Sequence, residues 1–146
     1  RQAYNRVFQM SQIDQAAGDV LAMLTRGLAA RRVLQIGAGT GETALCIGRA
    51  LADDGMLIAL ERDAARGMAA RSALERAGLA DRVTVMIGDA ARYLHKISGP
   101  FDLIVQHVDA AQRDAMRPRL LQLLRDRGLL ATAAGDSEEI VLTIKR

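Results

Sequence analysis

The spacing of apolar residues changes repeatedly along this chain, and each change marks an element. From about residue 12 to residue 28, Ile13, Ala17, Val20, Leu21, Leu24 and Leu28 fall near helical spacing and predict an amphipathic helix. Val33–Ile36 then reads as a short buried strand and Glu42–Leu51 as a helix ending before Asp53-Asp54-Gly55. Met56–Leu60 is a second strand, followed by a helix over Ala64–Ala77 that Gly78 is suited to stop. Val83–Ile87 alternates enough for a partly exposed third strand, and Ala90–Ile97 is a short helix closed by Ser98-Gly99-Pro100. A fourth strand spans Leu103–Gln106, a helix Gln112–Arg125 and a fifth strand Leu129–Thr132, and Ile140–Ile144 closes the series.

Strands alternating with helices define an α/β fold, a Rossmann-like, doubly wound, mostly parallel sheet. The last connection differs. Between Thr132 and Ile140 there is room only for a turn around Gly135-Asp136-Ser137. A parallel crossover needs a dozen or more residues, so the final strand is expected antiparallel. No repeat or low-complexity segment interrupts the chain, and 1–146 reads as one domain. Residues 1–30 form its N-terminal helical segment and 31–146 its sheet core.

The first strand runs straight into Gly37-Ala38-Gly39-Thr40-Gly41. Glycines at that spacing let a strand turn sharply into a helix and let a ligand reach bare backbone. The loop belongs at the carboxyl end of the first strand, where open α/β sheets bind nucleotides.

Composition narrows the partner. At 146 residues the chain can bury a real core, roughly 70% of its unfolded surface. Aromatic residues make up only 3% and Trp is absent, which argues against a stacking surface for single-stranded nucleic acid. The net charge of +3 comes from arginines scattered over presumed helices, better read as solvated faces than as a nucleic-acid patch. The single cysteine, Cys46, excludes an internal disulfide and sits among Ala44, Leu45 and Ile47 as a small buried hydrophobe. No apolar run reaches membrane-spanning length and no signal-peptide pattern opens the chain, so a cytoplasmic protein is expected.

The dinucleotide fingerprint G-x-G-x-x-G carries a third glycine where this chain has Glu42. A carboxylate there repels a pyrophosphate but not a cationic sulfonium, which favours S-adenosylmethionine over a nicotinamide cofactor. Glu61, about 20 residues beyond the loop, can accept hydrogen bonds from ribose hydroxyls. Gly88-Asp89 follows the third strand on the same sheet edge, where Asp89 can accept from an adenine amine, cap the next helix, or do both.

From about Met10 to Thr132 the chain resembles the bacterial relatives of catechol and caffeoyl-CoA O-methyltransferases, a branch of the class I S-adenosylmethionine-dependent methyltransferases. The stretches that carry the resemblance are Ile13 to Leu21 with its Gly18, RRVLQIGAGTGETAL, LIALERDAA, LERAGLADRVTVMIGDA and FDLIV. The resemblance implies that Gly37, Ala38, Gly39 and Gly41 lie against the cofactor and that Glu61 holds its ribose. It implies that Thr43 helps bind the methionine carboxylate and that Gly88, Asp89 and Ala90 border the adenine. Ile13, Arg62 and His107 complete the implied cofactor contacts. Gln35 departs from the usual acidic residue of the first strand.

The other end of the pattern breaks. The family positions its substrate with a divalent metal, held by an aspartate after the fourth strand and an Asp-Asn pair after the fifth. A lysine stands three residues beyond the first aspartate. Here His107 replaces that aspartate, Ala110 the lysine, and Ala133-Ala134 the Asp-Asn pair. A hard cation wants oxygen ligands, so no metal is expected. The helix and strand that the family inserts after its fifth strand are also missing from this stretch.

The residues therefore point to a methyltransferase acting without a metal on a small-molecule hydroxyl, leaving S-adenosylhomocysteine. His107 is the candidate general base, since histidine is suited to proton transfer near neutrality, and Asp109 is placed to orient it or to act alone. His95 reads as a surface residue and Asp102 as a structural hydrogen-bonding group. The competing readings are a non-catalytic cofactor-binding or dimerisation module and, more weakly, a nucleotide-dependent oxidoreductase. The N-terminal stretch, with Tyr4 and Phe8, is a candidate cover for the pocket or support for a homodimer.

Overall fold

The computed structural model describes residues 17–134 and 140–146. A helix, α1, covers residues 17–27. It is followed by β1 (Arg32–Ile36), α2 (Glu42–Ala50), β2 (Met56–Glu61), α3 (Ala64–Arg76), β3 (Val83–Ile87) and α4 (Ala90–Tyr93). β4 (Phe101–Val108), α5 (Ala110–Leu123), β5 (Leu124–Ala134) and β6 (Ile140–Ile144) complete the order. The strands form one sheet in the order β3-β2-β1-β4-β5-β6, parallel throughout except for the antiparallel β5–β6 pair. The expected doubly wound α/β architecture and its antiparallel last strand are both present.

Strand alternation divides the core in two. On one face Val33, Ala59, Leu103, Val105 and Ala131 pack with Leu21 of α1, Ile47 of α2 and Leu74 of α3. On the other, Leu34, Ile36, Leu60, Ile104 and Leu130 pack with Leu94, just past α4, and with Met116 and Leu120 of α5. Burying one such aliphatic side chain stabilises the fold by about 1.5–3 kcal/mol, which commits every strand to its register. α1 closes on α2 at Gly18, where an added Cβ would stand 2.9 Å from Cys46 Sγ. Cys46 is thus half-buried packing material.

Local chemistry sets the boundaries. Asp63 caps α3 by accepting from Ala65 N at 3.3 Å, and Gly78, in the left-handed region at φ +74, ends that helix. The hydrogen bond from Arg66 is the main reason the Asp63 carboxyl is held below the usual carboxylate range. Asp102 accepts from Arg31 N and Arg32 N at 2.7 and 3.0 Å and pairs with Arg125 at 3.0 Å, the structural role expected of it. His95 is exposed.

Four elements differ by two or more residues from the sequence reading. α4 stops at Tyr93 instead of Ile97, with Leu94–Lys96 in a turn. β4 runs from Phe101 to Val108, because Phe101 is already paired with Leu124 and the ladder continues to Val108 opposite Ala134. α5 begins at Ala110 and ends at Leu123, since Asp109 accepts from Gln112 N at 2.9 Å and starts the helix two residues early. β5 starts at Leu124, with an irregularity at Arg127 (φ +65) that the apolar pattern did not reveal. The expected helical residues 12–16, Ile13, and the turn at Gly135-Asp136-Ser137 lie outside the described residues.

Candidate functional site

The glycine loop is fixed by backbone before any ligand arrives. Gly37 N and Ala38 N both donate to Leu60 O, at 2.9 and 3.1 Å, tying the loop to the end of β2. Gly37, Gly39 and Gly41 have φ of +89, +57 and +97, values that side-chain-bearing residues rarely adopt. The three have different surroundings. A Cβ on Gly37 would run into the backbone carbonyl of His107, so the loop lies directly on β4. A Cβ on Gly41 would meet Ala70 Cα at 3.0 Å, so this glycine lets the start of α2 press against α3. Around Gly39 the same position is open space, the side left for a ligand.

Glu61 locks this arrangement. It is only 7% exposed, and its Oε1 accepts from Gly39 N and its Oε2 from Asp63 N, each at 2.8 Å. Each oxygen retains a lone pair, so a vicinal diol can still donate to the same carboxylate. Gly88 N donates to Glu61 O at 2.9 Å, bringing the loop after β3 alongside. Asp89 Oδ1 accepts from Ala91 N at 3.1 Å and caps α4, the second of the two roles read from sequence. Its other oxygen leaves the acceptor role open. Gln35, two residues before Gly37, is buried on the α2 side of the sheet, and its Oε1 has no hydrogen-bond partner. It stands outside the cleft that these loops wall.

These loops wall a cleft of about 170 Å³. Gly37, Glu61, Arg62, Gly88, Asp89, Ala90 and His107, all expected to touch the cofactor, line it, and so does Asp109. Ala38, Gly39 and Thr43 belong to the loop and the first turn of α2 but stand outside the lining. The sequence reading missed Arg66, Gln112 and Met116, together with the apolar floor of Ile36, Leu60 and Val108. Gln112 and Met116 are four apart, one and two helical turns beyond Asp109, a signal that a correctly placed cap would have supplied.

At the β4–β5 end, His107 is the penultimate residue of β4, not part of a loop, and is exposed. His107 pairs in register with Ala133. Asp109 turns Oδ1 to Gln112 N, so that oxygen serves the helix cap and not the imidazole. Among the described residues no group of three or more His, Cys, Asp or Glu side chains could hold a metal ion. Nor is any helix among them long and apolar enough to cross a membrane.

A mostly parallel sheet with a glycine loop after β1, a buried acid at the end of β2 and an Asp after β3 defines a Rossmann-like fold with a candidate nucleoside site. Comparison with known proteins specifies it further: residues 1–136 match the O-methyltransferase family model, and the chain belongs to that family. It is 35% identical over 109 residues to a catechol O-methyltransferase of Mycobacterium tuberculosis, a match covering 74% of this chain and 50% of that protein. The O-methyltransferase TomG from Streptomyces achromogenes, solved in complex with S-adenosylmethionine, superposes with a TM-score of 0.79 at 27% identity, covering 88% of this chain and 60% of TomG. An O-methyltransferase from Bacillus cereus in complex with S-adenosylhomocysteine gives 0.76 at 29% identity, with coverages of 83% and 62%. The chain spans about half the length of the curated relatives it matches.

Proposed function

We propose that this chain binds S-adenosylmethionine and transfers its methyl group to a hydroxyl of a small molecule without a divalent metal. The observation that carries the reading is the Gly39–Glu61 bond within a loop pinned to Leu60, a preformed nucleoside cradle with its open side at Gly39. The residues present fit this cofactor. Glu61 would take the ribose hydroxyls, and Asp89 and Ala90 the adenine edge. The bound cofactor supplies an electrophilic methyl group on a sulfonium.

The chain's own contribution is to place the acceptor and take its proton. His107 stands in the cleft wall next to Gly37, where an unprotonated ring nitrogen can receive the hydroxyl proton as the oxygen attacks. Positioning supplies much of the remaining effect, because an in-line displacement depends on alignment. A hard cation does not fit the donor set at this end. Ala133 carries no ligand atom opposite His107, and magnesium or calcium needs several oxygens.

A second reading is a non-catalytic module that binds the cofactor or its demethylated product. It is favoured by the engagement of Asp109 in capping α5 and by Ala110 in the position of the family's lysine. Calorimetry with S-adenosylmethionine, S-adenosylhomocysteine and NAD, with and without a chelator, tests both. Both adenosyl ligands are expected to bind and NAD is not; binding of NAD alone would overturn the assignment. Methyl transfer to catechol and related hydroxy-aromatics is expected to be insensitive to chelator, and its loss on chelation would refute metal independence. Tight binding with no transfer across a broad acceptor screen would establish the second reading.

A further inference from the structure

The two edges of the sheet are treated differently. β3 is one edge strand and β6 the other. Between β2 and β3, Leu57 N donates to Arg82 O and Gly88 N to Glu61 O. The alternation of a parallel ladder therefore turns the backbone groups of Val83, Val85 and Ile87 outward. Two of those carbonyls are covered. The Arg71 guanidinium donates twice to Val85 O, at 3.1 and 2.7 Å, and the Tyr93 hydroxyl donates to Ile87 O at 3.1 Å. Covering an edge in this way keeps other strands from pairing with it.

β6 has no such cover among the described residues. Lys145 N donates to Gly128 O and Lys145 O accepts from Arg127 N. Alternation of the antiparallel ladder then directs Val141 and Thr143 toward β5 and leaves the N–H and C=O of Ile140, Leu142 and Ile144 facing out. Among the described residues no group bonds to them. The strand reads IVLTI, with no proline, glycine or charge to blunt it. Val141, Leu142 and Ile144 are 51%, 47% and 61% exposed. A flat, apolar, open edge of this kind is a template for another strand.

We propose that this edge pairs antiparallel with the same strand of a second copy of the chain, about a two-fold axis through Leu142. The sequence is self-complementary under that operation. Leu142 meets its own counterpart and Ile140 meets the second copy's Ile144, and each pair exchanges both N–H···O=C bonds. The chain carries Glu138-Glu139 just before the strand and Lys145-Arg146 just after it. Antiparallel pairing keeps the Lys145-Arg146 ends of the two copies apart, whereas a parallel arrangement would stack their like charges. The result is one continuous sheet across two copies, with the two cofactor clefts left free.

Light scattering during gel filtration and sedimentation velocity read the assembly. The unaltered chain is expected to form a concentration-dependent dimer. Leu142→Lys places two ammonium groups on the axis and should weaken the dimer by roughly tenfold or more, and Leu142→Glu likewise. An equimolar mixture of the two variants should dimerise again, which a merely unfolded variant could not do. Hydrogen exchange should show the amides of Ile140, Leu142 and Ile144 protected in the dimer and released in Leu142→Lys. A monomer at all concentrations, whether those amides are protected or not, overturns the proposal. So does a dimer that persists in Leu142→Lys, or a mixture of folded variants that stays monomeric.

Discussion

Where the cleft meets β1, β2 and β3, its wall is backbone held by hydrogen bonds; where it meets the end of β4 and the start of α5, it is mostly side chains held by little. At the first end Leu60 O takes two loop amides, Glu61 takes two more, and Gly88 N returns to Glu61 O. At the second end His107 is exposed, Asp109 is occupied with its helix, and Ala133 offers no polar atom. A nucleoside needs a fixed constellation of donors and acceptors, and only the first end has one before binding. The acceptor end holds a candidate base on a strand end, with no fixed geometry around it.

Gly37 joins the two ends, and changing it should have the largest effect. Gly37→Ala forces an unfavourable φ on alanine and drives its Cβ into the His107 carbonyl, so β1 and β4 must separate where the cleft begins. A stability loss of about 2–4 kcal/mol is expected, together with loss of both binding and turnover. Denaturant titration and calorimetry check it. If only turnover falls, the two ends are less tightly joined than the contact implies. His107→Ala comes next. Turnover should fall roughly 100- to 10,000-fold, a larger loss than any accompanying fall in affinity for S-adenosylmethionine. Unchanged turnover would remove the imidazole from the mechanism.

Much of this was legible in the sequence, for identifiable reasons. The doubly wound, mostly parallel architecture follows from short apolar runs separated by helical spacing, and the antiparallel final strand from a link too short for a crossover. Gly37, Glu61 and Asp89 stood out because each ends a strand on one side of the sheet, where few residue types suffice. The misplaced elements share a different cause. Asp109 reads from sequence as a catalytic group, which hides its role as the cap that starts α5 at Ala110 and, with it, the places of Gln112 and Met116. Leu124 to Gly128 carries Arg, Asp and Arg, which no alternation rule assigns to a strand. Its pairing with β4 and β6 is tertiary.

The smallest expected effect tests the cofactor end alone. In Glu61→Gln the side chain keeps its shape but offers one oxygen where the carboxylate offered two. Gly39 N and Asp63 N both point at those atoms from 2.8 Å, so one amide must face an NH₂ group. That mismatch should cost about 1–3 kcal/mol of stability, because a buried donor is left unmade. The ribose hydroxyls lose the anionic acceptor at the same time. Affinity for S-adenosylmethionine should therefore fall roughly 10- to 100-fold. At saturating cofactor, turnover should stay within about threefold of the unaltered chain, since no group at the acceptor end has moved. Glu61→Gln and His107→Ala thus predict opposite patterns, one in Kd and one in kcat. If both variants shift both constants together, the two ends act as one unit, and the separation drawn from their hydrogen bonding fails.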